Sequence, residues 1–164
     1  MLKKSKHIIP LFTTDILENK TLIEVVGTNE LYKNTRYGRS LTPKGKKYKQ
    51  YINNQVERLR KELKLQGDQV LDEEIVLFVR FYLTLPLSKN GSIDKRYIRD
   101  DDNLMKPLKD SLQTSPTKIG LWTDDKIIRG GFVEIMANRD ENERIELAIY
   151  KRDEKLEKRL DAFF

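Results

Sequence analysis

Apolar positions recur along this chain with two different periods, and these periods predict both helices and strands. From Tyr48 to Leu63 the apolar residues follow three- and four-residue steps, the spacing of one face of an amphipathic helix. Thr42 and Pro43 stand before this stretch as a helix N-cap and a first helical residue. The pattern predicts a long first helix that starts at Pro43 and stops near Gly67.

A second helix is predicted from about Leu104 to Gln113, because leucine recurs at every fourth position. Asp102 and Asn103 are favoured N-cap residues, so the helix is expected to begin there. Pro107 fits such a helix only in its first turn, because proline has no amide hydrogen to donate.

Four further segments have the composition of strands, namely residues 22–26, 74–85, 126–136 and 144–150. Residues 27–40 and 88–98 are polar and are predicted as loops. The resulting order, β-α-β-α-β-β, predicts an α+β fold with two layers and a mixed four-stranded sheet.

Composition narrows the possible chemistry. A chain of 164 residues that is 38% hydrophobic can form one domain around a single core. It contains no cysteine and one histidine, His7, which excludes thiolate zinc sites and histidine-rich metal sites. No apolar stretch approaches a membrane span and the N-terminus is unlike a signal peptide, so a cytoplasmic protein is expected, either nucleoid-associated or phage-encoded.

Positive charge is concentrated in one segment. Residues 33–64 carry eleven Lys or Arg and two Glu, a balance of +9 in a chain of net charge +6. Such a segment is typical of proteins that bind nucleic acid, because it neutralises phosphates and releases counterions. Tyrosines interleave with these charges and could stack on unpaired bases, although packing is the favoured role for two of them, Tyr48 and Tyr51.

Acidic residues cluster at Asp100-Asp101-Asp102 and again at Asp124-Asp125. Adjacent carboxylates repel one another, and a bound Mg²⁺ would compensate them. In an extended segment Asp100 and Asp102 share one face, and Lys106 lies one helical turn beyond Asp102, where its ammonium would face a phosphate. A solvated acidic turn explains an isolated motif of this kind equally well. The second pair interrupts apolar sequence, which is costly without compensation and favours the metal site.

These motifs resemble the RusA family of Holliday junction resolvases, the crossover junction endodeoxyribonucleases. The family pattern is DxDNxxK, then DxL, then a Trp-containing segment that ends in DD, and the chain has Asp100-x-Asp102-Asn103-x-x-Lys106, Asp110-Ser111-Leu112 and Gly120-Leu121-Trp122-Thr123-Asp124-Asp125. The stretch from Asn29 to Tyr48 is similar to the family's first loop and following helix. The resemblance covers roughly residues 22 to 151.

The resemblance implies a structure-selective endodeoxyribonuclease that resolves Holliday junctions or related branched DNA in recombination and repair. It implies catalytic roles for Asp100, Asp102, Lys106 and Asp125, with the three aspartates binding Mg²⁺ or, alternatively, Mn²⁺. It also implies a homodimer. The expected DNA-binding residues are Asn29, Arg36, Arg39, Lys44, Lys46, Lys47 and Arg99.

The chain is expected to divide into a nuclease domain, residues 21–151, between an N-terminal extension, residues 1–20, and a C-terminal helical tail, residues 152–164. The tail resembles a sliding-clamp-binding box with Leu160, Phe163 and Phe164 as its apolar positions and Glu157 in place of Gln. The alternative is a terminal helix that packs on the protein's own core or on a dimer partner.

Two other functions stay open at the level of sequence. One is a non-catalytic DNA-binding or phage accessory protein that keeps the basic face and uses its acids structurally. The other is a broader branched-DNA or flap nuclease.

Overall fold

The structure is a computed structural model that describes residues 12–15, 25–138 and 143–162. Its strands are β1 (Phe12–Asp15), β2 (Tyr32–Thr35), β3 (Gly38–Leu41), β4 (Ile75–Leu83), β5 (Ile128–Ala137) and β6 (Arg144–Lys151). Its helices are α1 (Thr28–Leu31), α2 (Pro43–Glu62), α3 (Asp101–Leu112) and α4 (Glu154–Asp161). Short 3-10 helices lie at Lys95–Tyr97 and Asp125–Ile127.

A mixed sheet forms the centre of the protein. Strand β4 pairs in parallel with β5 and antiparallel with β6, and β1 pairs antiparallel with the free edge of β6. The predicted α+β class with a mixed sheet is therefore confirmed. Of the strand predicted at residues 22–26, Val25 and Val26 lie outside any strand and the rest lies outside the described residues. Strand β1 falls within the segment predicted as an N-terminal extension.

The core lies between one face of this sheet and helices α2 and α3. Alternate residues of β4, from Ile75 to Leu83, are at most 2% exposed and join buried residues of both helices in one cluster. Trp122, in the segment before β5, is the largest fully buried side chain among the described residues. In α2, the apolar period read from the sequence identifies the buried face of the helix correctly.

Helix α2 starts where the sequence predicts. The Thr42 hydroxyl accepts a hydrogen bond from the Gly45 amide at 2.9 Å, as an N-cap does. The helix ends at Glu62, before Gly67, because Lys64 takes a left-handed φ of 58° and the Leu65 amide closes back on the Arg60 carbonyl at 2.8 Å.

The polar stretch predicted as a loop at residues 27–40 instead contains α1 and a hairpin made of β2 and β3. Most of the hairpin residues are exposed. Because neither face is buried, the hairpin has no alternation of apolar and polar residues that would reveal it.

Helix α3 begins earlier than predicted. Its N-cap is Asp100, whose carboxylate accepts a hydrogen bond from the Asn103 amide at 3.0 Å. Pro107 therefore lies inside the helix and not in the first turn. It cannot donate to the carbonyl of Asn103, and the Thr28 hydroxyl donates to that carbonyl instead, at 3.2 Å. The proline is tolerated because α1 satisfies the carbonyl that it frees.

This contact gives a stability prediction. Thr28→Val keeps the side-chain volume but removes the hydrogen bond to this partly buried carbonyl, so we expect a loss of about 1–2 kcal/mol in the free energy of unfolding. Urea denaturation measures it. Thr84→Val, at an exposed position, is the matched control and should change stability by less than about 0.5 kcal/mol. Equal effects of the two substitutions would contradict the role given to Thr28.

The last helix, α4, lies within the predicted C-terminal tail. Leu156 is buried, at 6% exposure, so this part of the tail packs against the protein. The side chain of Leu160, and both Phe163 and Phe164, lie outside the described residues. Across the described ranges, no helix has the length and apolar character needed to cross a membrane.

Candidate active site

The first turn of α3 carries three adjacent carboxylates that point to solvent. Asp100 caps the Asn103 amide and Asp101 accepts a hydrogen bond from the Asp102 amide, both at 3.0 Å. The positive end of the helix dipole favours acids at this position. Part of the compensation that adjacent carboxylates require thus comes from the helix itself. In the described part of the chain no hydrogen bond engages the carboxylate of Asp102.

The helical start changes how these acids are arranged. The expectation that Asp100 and Asp102 share a face rested on an extended segment, and this premise is wrong because Asp101 and Asp102 are helical. Lys106 lies four positions after Asp102 in the helix, so these two side chains do lie on one face. Lys106 is exposed, and no carboxylate in the described ranges forms an ion pair with it. A carboxylate and an ammonium are therefore both available at one surface.

Glu30, in α1, connects the segment before α3 to the start of α2 through ion pairs. Its carboxylate lies 3.2 Å from the Arg99 guanidinium and 3.0 Å from the Lys44 ammonium, and it also accepts from the Gly27 amide. Burial alone would raise the pKa of Glu30, but the Gly27 and Lys44 hydrogen bonds and the charge of Arg99 hold it below its usual value. Arg99 also donates to the Val25 carbonyl at 2.7 Å.

Only one weak signal in the sequence marks Glu30. It lies three residues after Gly27, the N-cap of α1, where a glutamate can accept a hydrogen bond from the N-cap amide. Arg99 and Lys44, both predicted to bind DNA, here fix the position of Asp100 relative to α2.

Glu143 is a second acid that sequence reasoning missed. It accepts hydrogen bonds from the Val25 amide at 2.6 Å and the Thr84 amide at 3.2 Å, and burial raises its pKa. Through these bonds Glu143 holds the start of β6 against the end of β4 and the segment before α1. Because its partners are backbone amides distant along the chain, no local motif marks it.

The second acidic pair lies just before β5. Asp124 caps the 3-10 helix Asp125–Ile127 and is paired with Lys126 at 3.3 Å. The hydrogen bond from the Lys126 amide, with the Lys126 side chain, lowers the pKa of Asp124. Both aspartates are exposed. The expectation that burial among apolar neighbours makes them costly is therefore wrong.

The two acidic segments lie at opposite ends of the sheet. Since β4 and β5 are parallel and α3 connects them, α3 runs back along the sheet, from the end of β4 to the start of β5. Near the end of β4, Arg99 donates a hydrogen bond to the Val25 carbonyl. The Val25 amide and the Thr84 amide both donate to the carboxylate of Glu143. At the other end, the Leu121 amide donates to the Leu112 carbonyl.

The separation can be gauged from the helix. Its 12 residues span about 18 Å, with Asp100 at one end and the segment leading to Asp125 at the other. Within residues 25–138 and 143–162, no group of three or more His, Cys, Asp or Glu side chains could hold a metal ion. One chain therefore does not bring Asp125 to Asp100 and Asp102.

A basic surface accompanies the α3 terminus. The turn of the β2–β3 hairpin exposes Arg36 and Tyr37, the latter 94% exposed. On the hairpin strands, Arg39 lies over the Tyr32 ring, 5.8 Å from its centroid. Exposed positions on α1 and the first turns of α2 hold the other predicted DNA-binding residues, Asn29, Lys46 and Lys47. Tyr48 is buried, and Tyr51 packs against the core.

A surface with exposed basic side chains and an exposed aromatic ring is typical of proteins that bind nucleic acids. Carboxylate oxygens are also the hard ligands that a divalent cation prefers. The family model for endodeoxyribonuclease RusA matches residues 23–150, more than half of the chain, and the protein belongs to this family. It is thus an endodeoxyribonuclease of the Holliday junction resolvase type, which hydrolyses phosphodiester bonds, as the sequence predicts. No curated protein matches the chain.

Proposed function

We propose that the protein resolves Holliday junctions in recombination and repair by Mg²⁺-dependent hydrolysis at the N-terminus of α3. The observation that carries this proposal is the surface shared by Asp102 and Lys106, where neither charge is neutralised by an ion pair with a described residue. Asp100, whose cap uses one carboxylate oxygen, has a second oxygen for a metal. Mn²⁺ has the same preference for oxygen ligands and is the alternative ion.

Each residue has a distinct role in this proposal. Asp100 and Asp102 would hold the cation, which would supply activation of water and stabilisation of charge on the phosphate. Lys106 donates to the phosphate oxygens and offsets the negative charge that develops on them. Glu30 and Arg99 keep the first turn of α3 in place, and they act through position and not through contact with the scissile bond.

A homodimer would bring the Asp125 of one protomer to the site of the other. One chain holds Asp125 at the far end of α3, so its proposed metal-binding role requires the Asp125 of a second protomer. A twofold arrangement would create two such sites, each with Asp100 and Asp102 from one protomer and Asp125 from its partner. Two sites also match the chemistry, because resolution of a junction needs one incision in each of two strands.

The hairpin and α2 supply the DNA-binding surface in this proposal. Arg36, Arg39, Lys46 and Lys47 would contact phosphates, with Asn29 next to the acidic turn. Tyr37 would stack on a base that is unpaired at the branch point, since its exposed ring has no packing role in the described structure. The activity belongs where DNA is present, in the cytoplasm or nucleoid or during phage infection.

A substrate panel tests the activity. We expect Mg²⁺-dependent cleavage of a four-way junction at least about tenfold faster than that of a fork, flap or duplex, a difference of about 1.4 kcal/mol in activation free energy. Chelation with EDTA should abolish cleavage and leave junction binding measurable by gel shift.

Comparable rates on forks and flaps would instead identify a broader branched-DNA nuclease. Tight, salt-sensitive binding with no cleavage under Mg²⁺ or Mn²⁺ would identify an accessory DNA-binding protein. The clamp contact through Leu160, Phe163 and Phe164 stays a prediction, and binding of the full chain and of a chain without residues 157–164 to a sliding clamp measures it.

A further inference from the structure

A polar cavity of about 610 Å³ lies between α2 and the loop that follows α3. The loop, residues 113–120, forms one wall and the second half of α2 forms the other. Polar and charged groups dominate the lining, which includes Asn53, Asn54, Glu57, Arg60, Thr117 and Lys118. The cavity lies away from the first turn of α3 and has no part in the function proposed so far.

The loop has a defined conformation. Ser115 and Lys118 exchange backbone hydrogen bonds at 2.9 and 3.2 Å, which closes a tight turn. Gly120 permits the close approach of the loop to α3, since a Cβ at this position would lie 2.3 Å from the Leu112 carbonyl oxygen. The loop therefore holds Lys118 at the cavity wall.

Lys118 is a half-buried cation that has no carboxylate partner among the described residues. Its ammonium donates to the Asn53 side-chain carbonyl and to the Ser111 backbone carbonyl, and no ion pair in the described part of the chain includes it. Burial, and then the positive charge of Lys49, lower the pKa of Lys118 to about 8. An anion next to the ammonium would relieve both costs.

Among the charged residues that line the cavity, Lys118 is the one available to bind an anion. The guanidinium of Arg60 is engaged by three backbone carbonyls, those of Gly67, Gln69 and Gly120, at 2.7–2.8 Å. Glu57 is exposed and forms no ion pair with Lys118. Lys118 thus supplies the cation available to a ligand at this wall.

A line of contacts connects this site to the hairpin. Lys49 donates to the Tyr32 hydroxyl at 3.2 Å and lies 5.6 Å from the centroid of its ring, on which Arg39 also packs. Lys49 in turn acts electrostatically on Lys118. The positive surface therefore continues from the hairpin along one side of α2 to the loop after α3.

We propose that Lys118 and Asn53 bind a backbone phosphate of a DNA arm, so that the DNA-binding surface extends from the hairpin to this cavity. This inference rests on the proposed function, because the ligand is an arm of the branched substrate. A phosphate fits the site by charge, and the Asn53 amide group can donate a hydrogen bond to it. The contact is to the backbone, so it adds affinity without sequence preference.

The test compares single-charge variants in EDTA, where cleavage cannot interfere. The affinity of each for a four-way junction is measured over a range of salt concentrations. Lys118→Gln should weaken binding about five- to tenfold at about 0.1 M salt and reduce the salt slope by about 0.9, the value for one phosphate contact. Lys118→Arg should restore the slope. Lys155→Gln, an equal loss of charge at an exposed position on α4, should change neither quantity.

The outcomes separate the two proposals. If wild type binds junctions tightly and Lys118→Gln has the wild-type affinity and slope, the phosphate site is overturned and the proposed function stands. If wild type shows no preference for junctions over duplex, the proposed function fails and this inference fails with it. Thermal unfolding distinguishes a charge effect from misfolding. If Lys118→Arg recovers binding at a melting temperature no higher than that of Lys118→Gln, the recovery comes from the restored charge and not from restored stability.

Discussion

Replacement of Asp102 by Asn is expected to lower the rate of junction cleavage at least about 1000-fold at saturating Mg²⁺, while junction binding is retained. An amide is nearly isosteric with a carboxylate but lacks the negative charge that holds the cation. The side chain is exposed and accepts no hydrogen bond within the described structure, so the substitution should leave the fold unchanged. Single-turnover cleavage of a labelled four-way junction, with a gel shift in EDTA, measures both quantities.

Asp101→Asn is the matched control, because it removes the same charge from the same helical turn. The Asn side chain can still accept the hydrogen bond that Asp101 accepts from the Asp102 amide, so cleavage should change by no more than about threefold. If Asp102→Asn cuts junctions at the wild-type rate, the site is elsewhere. If the two variants lose activity equally, the general negative potential of the turn matters and not a specific ligand.

Local chemistry explains why parts of the fold could be predicted from sequence. The start of α2 depends on Thr42 and Pro43, which act within one turn, and β4 is an apolar run that is interrupted only by Arg80. The family motif likewise identifies the enzyme class, because it is a short run of residues with fixed spacing. In each case the determinants are adjacent in the chain.

Non-local contacts explain the failures. The predicted start of α3 is wrong because it rests on Asp102 or Asn103 as the N-cap. Its premise that Pro107 needs the first turn fails because the Thr28 hydroxyl from α1 donates to the carbonyl that the proline frees. Arg99 and Lys44 looked like free cations in the sequence, but Glu30 pairs with both in the fold. Their partners lie far along the chain, so no local pattern could indicate these pairs.

The same reason applies to the distance between the acidic segments. The family resemblance implies that Asp125 joins Asp100 and Asp102, and the parallel pairing of β4 with β5 places it at the other end of α3 instead. A crossover connection fixes this geometry, and its direction is a property of the whole sheet. The sequence predicts the ligands, but it could not indicate that one chain keeps them apart.

The shared site in a homodimer is the central claim, and a mixture of two inactive variants tests it. Asp102→Asn and Asp125→Asn should each be inactive alone. After subunit exchange, half of the dimers are mixed, and each mixed dimer has one site that contains neither substitution. We therefore expect about a quarter of all sites to be intact. A mixed dimer has one intact site, so it should nick one strand of the junction and not make paired incisions.

A mixture of Asp100→Asn with Asp102→Asn is the control. Both of these residues come from the same protomer in the proposed site, so every site in this mixture lacks one ligand and no activity should return. Recovery of about a quarter of the nicking rate in the first mixture, with none in the control, is the predicted result. A first mixture that stays as inactive as its separate components, or an Asp125→Asn variant that is active alone, would contradict the shared site.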